Sequence, residues 1–154
     1  WLKAPTQGDL IQRRLFTVHL HVYASNGYLA RFGTPQSLSD LNNHRILTFG
    51  GVPPVQIKEI NWLETAGLEG NERREAVLSV NNLYALKRAC LKGLGLAILP
   101  DYMAREEGNL VQVLKEAELP AFETYFVYPE ESRDSKRVNV FRDFLVAKAK
   151  EWSF

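Results

Sequence analysis

The segment from Val80 to Pro100, V-N-N-L-Y-A-L-K-R-A-C-L-K-G-L-G-L-A-I-L-P, constrains the fold more than any other stretch. It reads as a strand, a helix and a second strand, with both ends of the helix marked. Asn81 or Asn82 can open the helix by accepting a bond from a free backbone N–H, and Gly93 can close it in the left-handed conformation that residues with a Cβ resist. Leu96 to Leu99 is a short continuous apolar run, as expected of a strand covered on both faces, and Pro100 ends it by removing a ladder donor. Such a unit predicts a parallel crossover. In parallel sheets, ligands gather at the carboxyl ends of strands and the amino ends of helices, so the Val80/Asn81/Asn82 junction is the first place to look for binding.

At 154 residues the chain can form one domain with a proper core, or two small lobes, without disulfides. Lys plus Arg number 19 against 18 Asp plus Glu, which gives no bulk electrostatic case for nucleic acid or an anionic membrane surface. The single cysteine, Cys90, lies mid-helix between Ala89 and Leu91 and reads as a small buried hydrophobe, not a nucleophile. No apolar run approaches the roughly 18 residues of a membrane span. Trp1 to Asp9 lacks the basic start and apolar centre of a secretion signal, so a reducing, cytoplasmic setting is expected.

Along the chain, Thr17 to Ala24 alternates apolar and polar residues with the period of a half-buried strand. A short helix is expected over Tyr28 to Phe32, closed by Gly33, then a turn capped by Ser37 or Ser39 and a strand over Arg45 to Phe49. Val55 to Thr65, with Ile57, Ile60 and Trp62 as its apolar members, reads as extended. Ala76 to Val80, Asn109 to Leu114 and Phe122 to Tyr128 are further strands, and Asp101 to Glu107 a short helix. In the last helix Phe141, Phe144, Leu145, Ala149 and Trp152 form a stripe opposite Arg142, Asp143, Lys148 and Lys150, suited to covering a sheet. The sum is an α/β fold with a mainly parallel sheet.

The order of these elements resembles the effector-binding domain of LysR-type transcriptional regulators, which shares the two-lobed type 2 periplasmic-binding-protein fold. The matching residues span nearly the whole chain: Asp9-Leu-Ile11 with Arg13-Arg-Leu15, Leu20-His-Val-Tyr-Ala-Ser25, Tyr28-Leu-Ala30 with Gly33-Thr-Pro35 and Asp40-Leu41, Gly93-Leu-Gly-Leu-Ala-Ile-Leu-Pro100, and Tyr125-Phe-Val-Tyr-Pro129 with Phe141-x-x-Phe-Leu145. Each motif alone is weak, and their joint order carries the resemblance. One departure is Asn26-Gly27, where many members have a proline after the Ala-Ser pair. The resemblance implies residues 1–23 as a first-lobe remnant and crossover strand, 24–121 as a complete second lobe, and 122–154 as the return strand and closing helix of a first lobe truncated at its N-terminal side. It also implies a small effector held between the lobes, DNA contact only through a winged helix-turn-helix outside this chain, and a homodimer or homotetramer.

Thr48, Phe49 and Gly50 end a strand where the resemblance puts effector contacts: a hydroxyl, an apolar wall and a glycine that opens the backbone. The alternative is that Phe49 is core and Gly50-Gly51 only a turn. Asn81 and Asn82 either cap the helix alone or also hold a carboxylate. Ser25 and Lys3, near the crossovers by resemblance, are further candidates, Lys3 as a partner for an anion. His19 and His21 share a strand face but lack neighbouring cysteines or carboxylates, so solvent or an interface is expected there, not a metal. Arg73-Arg74 between Glu72 and Glu75 reads as a solvated cluster or a subunit contact.

No cofactor and no catalytic constellation is expected. The favoured reading is a ligand-sensing domain of a transcription regulator, acting on a small, carboxylate-bearing metabolite. The alternatives are a solute-binding receptor of the same fold and, less favoured, a small α/β enzyme, for which no paired nucleophile and base is legible.

Overall fold

The computed structural model describes residues 8–105 and 107–151. Two compact units are present: Leu20–Pro120 forms one, here the central unit, and Trp1–His19 with Ala121–Phe154 forms the other, the terminal unit. Among the described residues the strands are β1 (Leu10–Val18), β2 (Leu20–Ser25), β3 (Leu47–Phe49), β4 (Leu78–Val80), β5 (Ala97–Pro100), β6 (Leu110–Val113) and β7 (Phe122–Pro129). The α-helices are α1 (Asn26–Phe32), α2 (Leu83–Leu91), α3 (Asp101–Ala104) and α4 (Lys136–Glu151).

In the central unit β3 and β4 pair parallel, while β2 pairs antiparallel with both β5 and β6. A parallel bridge at Ile46 and Leu96 joins the two groups: Leu96 N–H donates to Arg45 O and Leu47 N–H to Leu96 O, both at 2.8 Å. The spatial order is therefore β4-β3-β5-β2-β6. The expectation of a mainly parallel sheet is corrected to a mixed one. β2 and β6 are the strands by which the chain enters and leaves this unit, and neither belongs to a crossover. The core comprises Leu20, Val22, Leu47, Leu86, Leu96, Ile98 and Leu99, each no more than 1% exposed. Each contributes about 1.5–3 kcal/mol through removal of apolar surface from water.

α2 has the ends its sequence signals: Asn82 accepts from Ala85 N–H, and Gly93 follows the helix at φ 75°. Ser25 caps α1, and Gly33 closes it at φ 82°. Ser37 and Ser39 do not cap the turn that follows. Their hydroxyls bond each other, and the Asp40 carboxylate takes the N–H groups of Gln36 and Ser37.

The expected extended segment is instead a 3-10 helix, Val55–Glu64, kinked at Ile57. Its buried residues are Ile57, Ile60 and Leu63. Three residues per turn puts positions three apart on one face, so this spacing suits a 3-10 helix better than a strand. Arg74 is not a solvated charge either. Its guanidinium donates to Asn42 Oδ1, Leu63 O, Ala66 O and Leu38 O, clamping this helix to the loop before it.

In the terminal unit β1 and β7 pair antiparallel with a bulge between Arg14 and Thr17, and the Arg14 guanidinium meets the Glu123 carboxylate. The predicted strand Thr17 to Ala24 is divided at His19, its first two residues belonging to β1. α4 packs on β1. Its inward face is Val138, Arg142, Leu145, Val146 and Ala149, with Arg142 donating to Asn139 Oδ1 at 2.9 Å. The predicted stripe is thus rotated. Phe141 and Phe144 are more than half exposed, although Phe141 keeps an edge contact with Phe126, and Trp152 lies outside the described residues.

Candidate functional site

The register Phe49↔Val80 aligns the carboxyl ends of β3 and β4. The pairing continues one step further, where Gly50 N–H donates to Val80 O at 3.0 Å. A Cβ on Gly50 would stand 3.4 Å from the Val80 backbone and 3.5 Å from the Asn81 nitrogen, so the glycine leaves that stretch of main chain uncovered. Two residues later α2 begins, and its first-turn amides have no carbonyl four residues back to bond. Thr48, Phe49, Gly50, Asn81 and Asn82 are thus brought together on one sheet edge.

Their roles there differ. Thr48 is buried, and its hydroxyl shares a 2.6 Å hydrogen bond with the Ser79 hydroxyl. The Phe49 main chain is satisfied by Asn61, whose Oδ1 accepts from Phe49 N–H at 2.7 Å and whose Nδ2 donates to Phe49 O at 2.8 Å. Asn61 imitates a neighbouring strand and fixes the β3 terminus, a role its sequence context does not signal. Asn82 Oδ1 caps α2 at 3.0 Å from Ala85 N, while Asn81 is exposed. Exposed amides at a helix start, with the positive end of the helix dipole behind them, favour an anion.

Ser25 is not part of this group. β3 runs parallel to β5 and β2 antiparallel to it, so the carboxyl end of β2 lies at the opposite sheet edge. There Ser25 is 3% exposed and its Oγ accepts from Tyr28 N–H at 3.2 Å, leaving it a structural cap. Lys3 lies outside the described residues.

The amino end of β2, in contrast, shares the edge with Gly50 and Asn82. His21 Nδ1 is 2.7 Å from Asp101 Oδ1, and the Tyr23 hydroxyl donates to the same oxygen at 2.9 Å. Asp101 is 4% exposed, and burial together with this bond pushes the Tyr23 hydroxyl far above its ordinary range. His21 is half-buried with its ring against Asp101, whereas His19 is exposed. The pairing spans 80 residues of sequence, so no local pattern marks it. His44 is held by Tyr28: the hydroxyl accepts from Arg45 N–H and shares a 2.8 Å hydrogen bond with His44 Nδ1, and burial lowers the imidazole's pKa. Among the described residues no three His, Cys, Asp or Glu side chains gather as a metal-binding group. No described helix is long and apolar enough to cross a membrane.

The family model of the LysR substrate binding domain matches residues 2–150. The chain is 32% identical over 157 residues to the uncharacterized HTH-type transcriptional regulator YhjC of Escherichia coli (strain K12), covering 95% of this chain and 50% of that protein. To the HTH-type transcriptional regulator CrgA of Neisseria meningitidis serogroup C (strain 8013) it is 31% identical over 139 residues, covering 87% and 45%. It thus spans about half the length of these curated relatives. The solved regulatory domain of CrgA superposes with a TM-score of 0.77 at 29% identity, covering 96% of this chain and 72% of that one. The chain belongs to the LysR substrate-binding-domain family, and its α/β architecture is the type 2 periplasmic-binding-like fold of LysR regulatory domains.

Proposed function

We propose that this effector-binding domain takes a small carboxylate-bearing metabolite at the edge built by Thr48, Phe49, Gly50, Asn81 and Asn82. The observation that carries the reading is the amino end of α2 set beside the carboxyl ends of two parallel strands, with Gly50 leaving the intervening backbone bare. The free amides of Leu83 and Tyr84 and the Asn81 side chain supply donors for a carboxylate, Phe49 an apolar wall, and His21, on the same edge, a further polar group. Bound ligand biases the arrangement of the domain, and the whole cytoplasmic protein, as a homodimer or homotetramer, transmits that bias to DNA through a winged helix-turn-helix. No step of this requires catalysis by the domain.

Calorimetric titration with benzoate, succinate and pyruvate tests the site when the tightest of the three is carried to Asn82→Asp. Aspartate caps a helix as well as asparagine does, so the fold is retained while a negative charge is added beside the anion. The expected result is an affinity loss of about tenfold or more, from a repulsion of roughly 1–2 kcal/mol at a partly solvated site. Unchanged affinity in Asn82→Asp would place the carboxylate elsewhere.

A further inference from the structure

The central unit holds a concave surface that is not lined by Ser25, Thr48, Phe49, Gly50, Asn81 or Asn82. It is a cleft of about 750 Å³ between the loop after α1, the 3-10 helix Val55–Glu64 and the segment leaving β6. This volume lies in the range of small-molecule sites. Pro35, Leu38, Trp62 and Leu114 supply its apolar lining, and Glu116 and Glu118 stand at its border.

Both walls are held in place. The Asp40 carboxylate accepts from Gln36 N–H at 2.8 Å and Ser37 N–H at 3.0 Å, and Arg74 donates to Leu38 O at 3.3 Å. Gly67, at φ 70°, permits the seating of Leu38, since a Cβ there would stand 2.8 Å from the Leu38 Cβ. On the other wall Leu114 has φ 50°, the one positive φ among the described non-glycine residues, stabilised by Ala117 N–H donating to Leu114 O at 2.9 Å. A leucine resists that conformation, and such residues persist where the surrounding structure enforces them.

The chemistry of the lining selects a ligand. The charged lining is two carboxylates, Glu116 and Glu118, and one ammonium, Lys115, and among the described residues neither glutamate has an ion-pair or hydrogen-bond partner. Trp62 lines the same cleft, and the π face of an indole attracts a cation more strongly than that of Tyr or Phe. We infer that this cleft binds a small organic cation with a flat apolar body, an arylalkylamine, its body on Trp62 and its ammonium toward Glu116 and Glu118. The preferred charge is opposite to that of the effector edge, so the two sites have separate ligands.

The probes are 2-phenylethylamine and its near-isosteres 2-phenylethanol and phenylacetate, titrated into the whole chain and followed by amide chemical shifts. The amine is expected to bind saturably, at least ~5-fold tighter than the alcohol, with phenylacetate weakest and shifts concentrated in residues 34–38 and 112–118. The double variant Glu116→Gln/Glu118→Gln changes only exposed side chains, and it should reduce the amine to the affinity of the alcohol without altering thermal stability. Trp62→Phe, which retains a ring, should weaken the amine further. Amine binding no tighter than the alcohol, absence of saturation by about 10 mM, or an unchanged affinity in the double variant would each overturn the inference.

Discussion

Gly95→Ala is expected to be the most damaging single-methyl addition in the central unit. A Cβ at this position would lie 2.6 Å from Arg45 O, 3.0 Å from Arg45 C and 3.2 Å from Leu47 Cγ. Two of those three atoms are main chain, so no side-chain rotation relieves the clash, and the Arg45 to Leu47 strand must move outward. That movement stretches the two 2.8 Å bonds that join the β3-β4 pair to β5. Loss of two net hydrogen bonds at about 1 kcal/mol each, with about 1–3 kcal/mol of overpacking, gives about 3–5 kcal/mol. Gly27→Ala is the control, because nothing lies within 4 Å of its Cβ, and it should fall within about 1 kcal/mol of wild type. Urea unfolding followed by circular dichroism measures the difference, and native-state exchange should show loss of protection at the amides of Leu47 and Leu96. A Gly95→Ala protein within about 1 kcal/mol of wild type, with those amides still protected, would show that the Arg45 backbone does not limit this position.

Three other outcomes are expected. Arg74→Ala should lose roughly 2–4 kcal/mol, because Leu63 O and Ala66 O lose a charged donor together, and Arg74→Lys should not restore it, since an ammonium cannot span the acceptors of a guanidinium fork; urea midpoints decide. Asp40 is held below its ordinary 3.8 by the N–H groups of Gln36 and Ser37. A depressed folded-state pKa gives stability that is present above the unfolded-state value and lost as pH falls through the folded one, so the wild-type advantage over Asp40→Asn should be full at neutral pH and shrink below about pH 4. The Cys90 thiol is fully buried, donates to Tyr23 O and has its pKa pushed up to about 12, so a thiol reagent at pH 8 should label it only as fast as the central unit opens.

Signals are legible in the sequence where the physics is local. Asn82 and Gly93 bound α2, and Ser25 and Gly33 bound α1, because a cap is a contact over three or four residues. What the sequence hid depends on partners distant along the chain. The second glycine of Gly93-Leu-Gly95 lies between a helix and a strand in sequence, yet its close contact is the Arg45 backbone of the neighbouring strand. The direction of β2 follows from pairing with segments more than 70 residues away, and that direction separates Ser25 from Thr48 and brings His21 to the candidate edge. In Val55 to Thr65 the pattern of Ile57, Ile60 and Trp62 reads as extended, whereas the buried set, Ile57, Ile60 and Leu63, has the three-residue spacing of a 3-10 helix. On α4 the largest hydrophobes, Phe141 and Phe144, drew the stripe outward, while the packed face uses Arg142 through its stem and its bonds.

The proposed function places a carboxylate ligand at the amino end of α2 beside Gly50. An amide chemical-shift map of the whole chain, titrated with whichever of benzoate, succinate or pyruvate raises its melting temperature most, tests it most directly. The largest perturbations are expected at Gly50 and from Asn81 through Tyr84. Perturbations centred on Ser25 to Gly27 and Gly93, at the opposite sheet edge, with Gly50 and Asn82 silent, would contradict it.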